Sequence, residues 1–146
     1  MVTARKSIWG GLMPGDRVLV DTVPFIYVLE DHPRFAAKFE GLFALADAGE
    51  IQIAVSTITL AEVLVGPLKQ NREALAKRYE KALGAFELVP LSAQIASTAA
   101  RLRATTGLRL PDAIQAASAL EIEAAALVTH DRDFSKLKGL IVVTGP

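Results

Sequence analysis

Four acidic residues far apart in the chain, Asp21, Glu62, Asp112 and Asp131, have the type and local setting to form a cation site. Asp21 directly follows the run Val18-Leu19-Val20, and Asp131 follows Ala125 to Val128 after Thr129 and His130. Open parallel sheets bind ligands beyond the C-terminal ends of their strands, which is where both acids fall. Each also suits a helix cap or an Asx turn, roles that Asp fills at strand–helix junctions. Glu62 has only apolar close neighbours, Leu60, Ala61, Val63, Leu64 and Val65. A helix so apolar all round predicts that the carboxylate points into an enclosed place. Either a cation or a buried salt bridge to an arginine must then offset its desolvation. Asp112 follows Pro111 at a helix start, where an acid complements the helix dipole. The inward stripe Ile114, Ala117 and Leu120 would anchor that turn against the sheet.

Together the four make an oxygen-rich donor set, with no cysteine and no suitably placed histidine. Such a set suits a hard cation, Mg²⁺ or Mn²⁺. One or two ions would relieve the repulsion among the carboxylates, activate a water and stabilise a leaving oxygen, which is the chemistry of phosphodiester hydrolysis.

The elements that must position these acids alternate between short apolar runs and longer stretches of helical period, the pattern of a βαβ sandwich. Strands are expected at Val18 to Val20, Ile51 to Val55, Phe86 to Val89, Ala125 to Val128 and, at the edge, Leu140 to Val143. Pro33 to Gly49 reads as a helix with Phe35, Phe39, Leu42 and Ala46 on one face. Thr57 to Val65 reads as a short helix capped by Ser56 or Thr57 and broken by Gly66-Pro67. Leu68 to Leu83 is helical, with Leu68, Leu75, Tyr79 and Leu83 inward and Lys77, Arg78 and Lys81 outward. Ser92 caps a helix running to Gly107, and Pro111 opens another that ends near Glu121. The expected fold class is α/β, one domain with a mostly parallel sheet.

The 146 residues suit one domain, and the 16 Lys and Arg balance the 16 Asp and Glu. A net charge of zero makes the molecule no bulk attractor for nucleic acid, so RNA contacts must come from local cations. The lack of cysteine excludes disulfides and thiolate metal sites and suits a reducing cytosol, so a cytoplasmic location is expected. Ile51 to Leu68 is apolar enough to raise a membrane span, but Ser56, Thr57, Thr59, Glu62 and Gly66-Pro67 make it a buried soluble segment. Hydrophobic residues at 51% fit either a dense core or an apolar surface covered by a partner.

Four runs carry a resemblance to a known family: Val20-Asp21-Thr22, Ser56 through Gly66, Leu110-Pro111-Asp112-Ala113 and Leu127 through Phe134. They resemble PIN domains, and within them VapC-type toxins of toxin–antitoxin pairs, over about residues 17 to 144 in order. The resemblance implies a PIN-like three-layer sandwich whose central parallel sheet has four to five strands flanked by helices. It also implies Mg²⁺- or Mn²⁺-dependent RNA cleavage, a homodimer and neutralisation by a cognate antitoxin. Asp21, Glu62, Asp112 and Asp131 fall on the family's acidic positions, as catalytic and metal-binding residues. Thr22, Thr57, Thr129 and Asp133 would assist, Asp133 being equally explained as a helix cap before Phe134. Residues 1–16 form an N-terminal extension and 17–146 the PIN domain, and Val23-Pro24 stand where the family often has a small polar residue.

Arg109, just ahead of Pro111-Asp112, is the candidate for gripping a substrate phosphate. Arg101 and Arg103 lie on different helical faces, and Lys69, Arg72, Lys77 and Lys81 suit a solvated helix face. His130 is expected as an exposed neighbour of the acids, and His32 as part of a turn before Pro33. Aromatics at 6% leave little for a base-stacking platform. The functional expectation is an endoribonuclease toxin. A PIN nuclease of RNA maturation shares all four acids, whereas a non-catalytic binding module would not need them. An aspartyl-phosphate phosphatase is excluded because Val23 stands where its second Asp is required.

Overall fold

The computed structural model describes residues 7–145. Its sheet has five strands, all parallel: β1 (Arg17–Val20), β2 (Gln52–Ser56), β3 (Glu87–Val89), β4 (Ala126–Val128) and β5 (Val142–Val143). Their spatial order is β3-β2-β1-β4-β5, which puts β1 at the centre, paired Val18 to Ile53 on one side and Leu19 to Leu127 on the other. Six helices cover the faces: α1 (Thr22–Leu29), α2 (Ala36–Asp47), α3 (Thr57–Lys69), α4 (Glu73–Gly84), α5 (Ala93–Thr106) and α6 (Leu110–Glu121).

Strand periodicity divides the core in two. Val18, Val20, Ile53, Val55 and Val128 point to one face, where they meet Phe25, Phe39, Leu42, Val63 and Leu83 of α1 to α4. The alternate residues Leu19, Ala54 and Leu127 point to the other, against Ile95 and Ala99 of α5 and the alanines of α6. The result is three layers, with each central strand buried on both faces as parallel strands are. Trp9 and Leu12, ahead of β1, also belong to the first core, the indole lying 6.1 Å from the Phe39 ring between centroids.

The expected strands all form, within a residue or two of their expected ends. The helices differ more. α3 does not break at Gly66-Pro67 but continues to Lys69. Pro67 falls in the last turn, and its carbonyl is closed by the amides of Gln70 and Arg72. The break comes at Gln70 to Arg72, where Asn71 takes φ +55°, a conformation asparagine tolerates. Leu68 therefore ends α3 instead of opening the next helix, and it is exposed rather than inward. Helix α1 has no counterpart among the expected elements. Its run Thr22-Val23-Pro24-Phe25-Ile26-Tyr27-Val28-Leu29 is rich in β-branched and aromatic residues, and Pro24 sits in the first turn, where its missing N–H costs nothing. In α6 the inward stripe is wider than expected: every residue from Asp112 to Ala119 is buried, whereas Leu120 is 39% exposed. Among the described residues, no helix is long and apolar enough to cross a membrane.

Candidate active site

Asp21 is the first residue after the central strand and the N-cap of α1. Both readings of it hold at once, because the cap occupies only part of the carboxylate. Oδ1 accepts the Thr22 N–H at 2.8 Å, and Oδ2 accepts the Thr129 hydroxyl at 2.8 Å. The side chain is buried, and that burial pushes its pKa up to about 6. The two hydrogen bonds pull it down, while the charges of Asp112 and Glu62 add to the rise. Two of the other three acids therefore lie near enough to act on Asp21 at the C-terminal end of β1.

The fourth acid is joined through a threonine. Thr129, fully buried after β4, donates to Asp21 and accepts the N–H of Asp131 at 3.0 Å. Asp131 caps the short 3-10 helix Arg132–Lys136, its Oδ1 accepting from Asp133 N at 2.9 Å. The cap ahead of Phe134 is thus Asp131, not Asp133, which lies exposed in the first turn. Asp112 is buried in the first turn of α6, and burial raises its pKa. Arg109, 3.3 Å away through Nε, offsets part of that rise, and Asp131 and Asp133 add to it. The Arg109 side chain is otherwise 79% exposed, so its guanidinium is accessible beside Asp112.

Glu62 departs from expectation. Its helix does lack a polar face, but the face it shares with Val65 (48% exposed) is turned to solvent, so Glu62 is exposed rather than enclosed. Among the described residues the ion pairs are Arg17–Glu87 and Arg109–Asp112, and Glu62 belongs to neither. Its Oε1 instead accepts the Thr22 hydroxyl at 3.1 Å. Thr22 thereby links two acids, Asp21 through its amide and Glu62 through its hydroxyl. Thr57 lies apart from them, accepting the Leu91 N–H at 3.2 Å.

Two polar residues here were not anticipated, Thr59 and Gln115. Both are buried, and Gln115 Nε2 donates to Thr59 Oγ1 at 2.7 Å and to Thr22 Oγ1 at 3.3 Å. Gln115 Oε1 is buried with no partner among the described residues, an arrangement that costs roughly 1–3 kcal/mol. A sequence signal existed: Gln115 stands three residues after Asp112 and Thr59 three before Glu62, one helical turn from each acid. His130 also differs from expectation. It is half-buried among Tyr27, Phe35 and Phe39, with Nδ1 2.9 Å from the Tyr27 hydroxyl, and burial lowers its pKa, helped by Lys38 and Arg132.

The donor set fits a hard dication in its chemistry. It offers carboxylate oxygens, one of them, on Asp21, resisting ionisation chiefly through its burial and further through the acids near it. Among the described residues no three acidic or histidine side chains already converge as a metal cage.

The PIN domain family model matches residues 18–140. Among solved structures, a toxin–antitoxin complex from Klebsiella pneumoniae has a chain 34% identical, with 87% of this chain and 96% of that one covered and a TM-score of 0.67. VapBC2 from Rickettsia felis, bound to a DNA fragment from its promoter, gives 25% identity, 86% and 96% coverage and a TM-score of 0.70. VapBC-5 of Mycobacterium tuberculosis gives 25%, 88%, 98% and 0.61. No curated protein sequence matches. With the family model spanning most of the chain, the chain belongs to the PIN domain family.

Proposed function

We propose that this chain is a metal-dependent endoribonuclease, the toxin of a toxin–antitoxin pair. The observation that carries the reading is Asp21: a buried carboxylate at the end of the central strand, with Asp112 and Glu62 close enough to raise its pKa further. Such a group is stabilised by a cation. Asp21, Glu62, Asp112 and Asp131 are the residues that would hold Mg²⁺ or Mn²⁺. When bound, the ion supplies Lewis-acid activation of water and neutralises charge on the phosphodiester.

The chain's own residues orient the reactants. Thr129 and the Thr22 amide fix the Asp21 carboxylate, and Thr129 also holds the Asp131 backbone. The exposed Arg109 guanidinium beside Asp112 would take a substrate phosphate. The similarity to toxin–antitoxin complexes supports a cognate antitoxin as partner. Exposed Val23, Val65 and Leu68 supply apolar surface for that antitoxin or for a homodimer.

Cleavage of a structured RNA by the purified chain, with Mg²⁺ or Mn²⁺ and then with excess chelator, tests the reading. Cleavage that needs the ion and disappears in Asp21→Asn is expected. Full activity in chelator, or an active Asp21→Asn variant, would overturn it.

A further inference from the structure

The network behind Glu62 has a fixed direction. Gln115 Nε2 has two protons and no acceptor capacity, and it spends them on Thr59 Oγ1 at 2.7 Å and Thr22 Oγ1 at 3.3 Å. The two hydroxyls are 3.0 Å apart, and Thr22 Oγ1 lies 3.1 Å from Glu62 Oε1. The Glu62 carboxylate can only accept, so Thr22 spends its one proton on it, and Thr59 in turn donates to Thr22. The chain of donors starts on a buried amide and ends on an exposed carboxylate.

We infer that Gln115 is a positioning residue for Glu62, acting through Thr59 and Thr22. Glu62 is exposed and has a long side chain, so by itself it would sample many rotamers and lose that freedom on ligating a cation. The Thr22 hydroxyl holds one of its oxygens on the side of the site where the Thr22 amide holds Asp21. Gln115 presents donors alone to the two threonine oxygens, so neither hydroxyl can turn its proton toward position 115 and away from the site. The orphaned Oε1 marks the cost: in an otherwise alanine-rich buried helix, an apolar side chain would leave no unmet acceptor. What Gln115 contributes to the site is its donors rather than its packing.

The inference rests on the reading of Glu62 as a cation ligand, and Mn²⁺ binding followed by electron paramagnetic resonance on the RNA-free protein separates the two. Gln115→Met keeps length and removes both donors. Gln115→Glu puts an acceptor at position 115, so the threonine hydroxyls turn toward it and away from Glu62. Both should weaken Mn²⁺ binding roughly tenfold, in the range of other outer-sphere changes. Thr22→Val should match them, and Thr22→Ser, which restores the hydroxyl, should recover most of the affinity. Gln115→Met added to Glu62→Gln should weaken binding no further than Glu62→Gln alone, because the effect passes through that carboxylate. Wild-type affinity in Gln115→Met and Thr22→Val, or full additivity with Glu62→Gln, would overturn the positioning role. Should Gln115→Met fail to fold, Gln115→Glu decides, wild-type affinity in it overturning the positioning role. A wild type that binds no Mn²⁺ would instead overturn the cation site, and this inference with it.

Discussion

The Thr129 hydroxyl lies 2.8 Å from Asp21 Oδ2, tying the residue that follows β4 to the residue that follows the neighbouring β1. The same oxygen accepts the N–H of Asp131, so one buried threonine sets the spacing of two candidate ligands. Thr129→Val keeps the shape and removes both bonds. A hydrogen bond to a charged group is worth about 1.5–3 kcal/mol, so the Asp21 pKa should rise beyond about 6. The acid limb of the pH–rate profile should move to higher pH, with activity at pH 7 down roughly tenfold. An unshifted limb would mean that Thr129 only fills space.

Asp21 itself makes stability depend on pH. Below about 3.8 the carboxyl is protonated in the folded and unfolded chain alike, and its burial carries no charge penalty. Between that value and about 6 the unfolded chain releases its proton first, so metal-free protein loses stability as pH rises. The full change corresponds to about 3 kcal/mol. Asp21→Asn should therefore be more stable than wild type in urea at pH 8 by about 2 kcal/mol, the amide recovering only part because it cannot accept both donors. At pH 3.5, where burial carries little charge penalty, the order should reverse, the variant being less stable by about 1 kcal/mol. Equal stability at both pH values would contradict the buried, strained carboxylate.

Glu62→Gln separates a ligand from a structural group. Glu62 is exposed and outside the ion pairs of the described residues, so metal-free stability should stay within about 0.5 kcal/mol of wild type. Activity should fall by more than about 100-fold, beyond an outer-sphere effect. A thermal upshift by Mg²⁺ in wild type should be lost in the variant. A large metal-independent drop in melting temperature would instead point to a structural partner for Glu62.

Arg109→Ala tests the phosphate contact. The side chain is 79% exposed, so stability should change by less than about 0.5 kcal/mol. The Asp112 pKa should rise, since Arg109 now holds it down. KM for RNA should increase by about tenfold or more if one charged contact is lost. An unchanged KM would leave Arg109 as a partner of Asp112 only.

Trp9→Ala tests the segment ahead of β1. The indole is 9% exposed, packs near Phe39 and lies 3.2 Å from where a Cβ on Gly41 would stand. Its truncation should cost about 3 kcal/mol in urea unfolding while leaving metal binding intact. A change below about 1 kcal/mol would show that the segment adds little to the core.

The strands were legible in the sequence because β-branched runs between turn signals have few other solutions, and the acids that follow them were legible for the same reason. Helix α5 was equally plain, with Ser92 accepting from Ile95 N at one end and Gly107 at φ +75° at the other. Helix α1 was not, since its local preference is for strand and it is packing against α2 and α3 that makes it helical. Tertiary structure alone decided which way α3 faces. Its sequence is apolar on every side, so periodicity could not say that Val65 and Glu62 would be exposed while Val63 went inward. It also decided the roles of Thr22, Thr59 and Gln115, which are 93 residues apart at the extremes and become one hydrogen-bonded unit only when α1, α3 and α6 meet at the sheet edge. A hydrogen bond needs atoms within about 3 Å, and distance between residues remote in sequence is set by packing, not by the residues' own preferences.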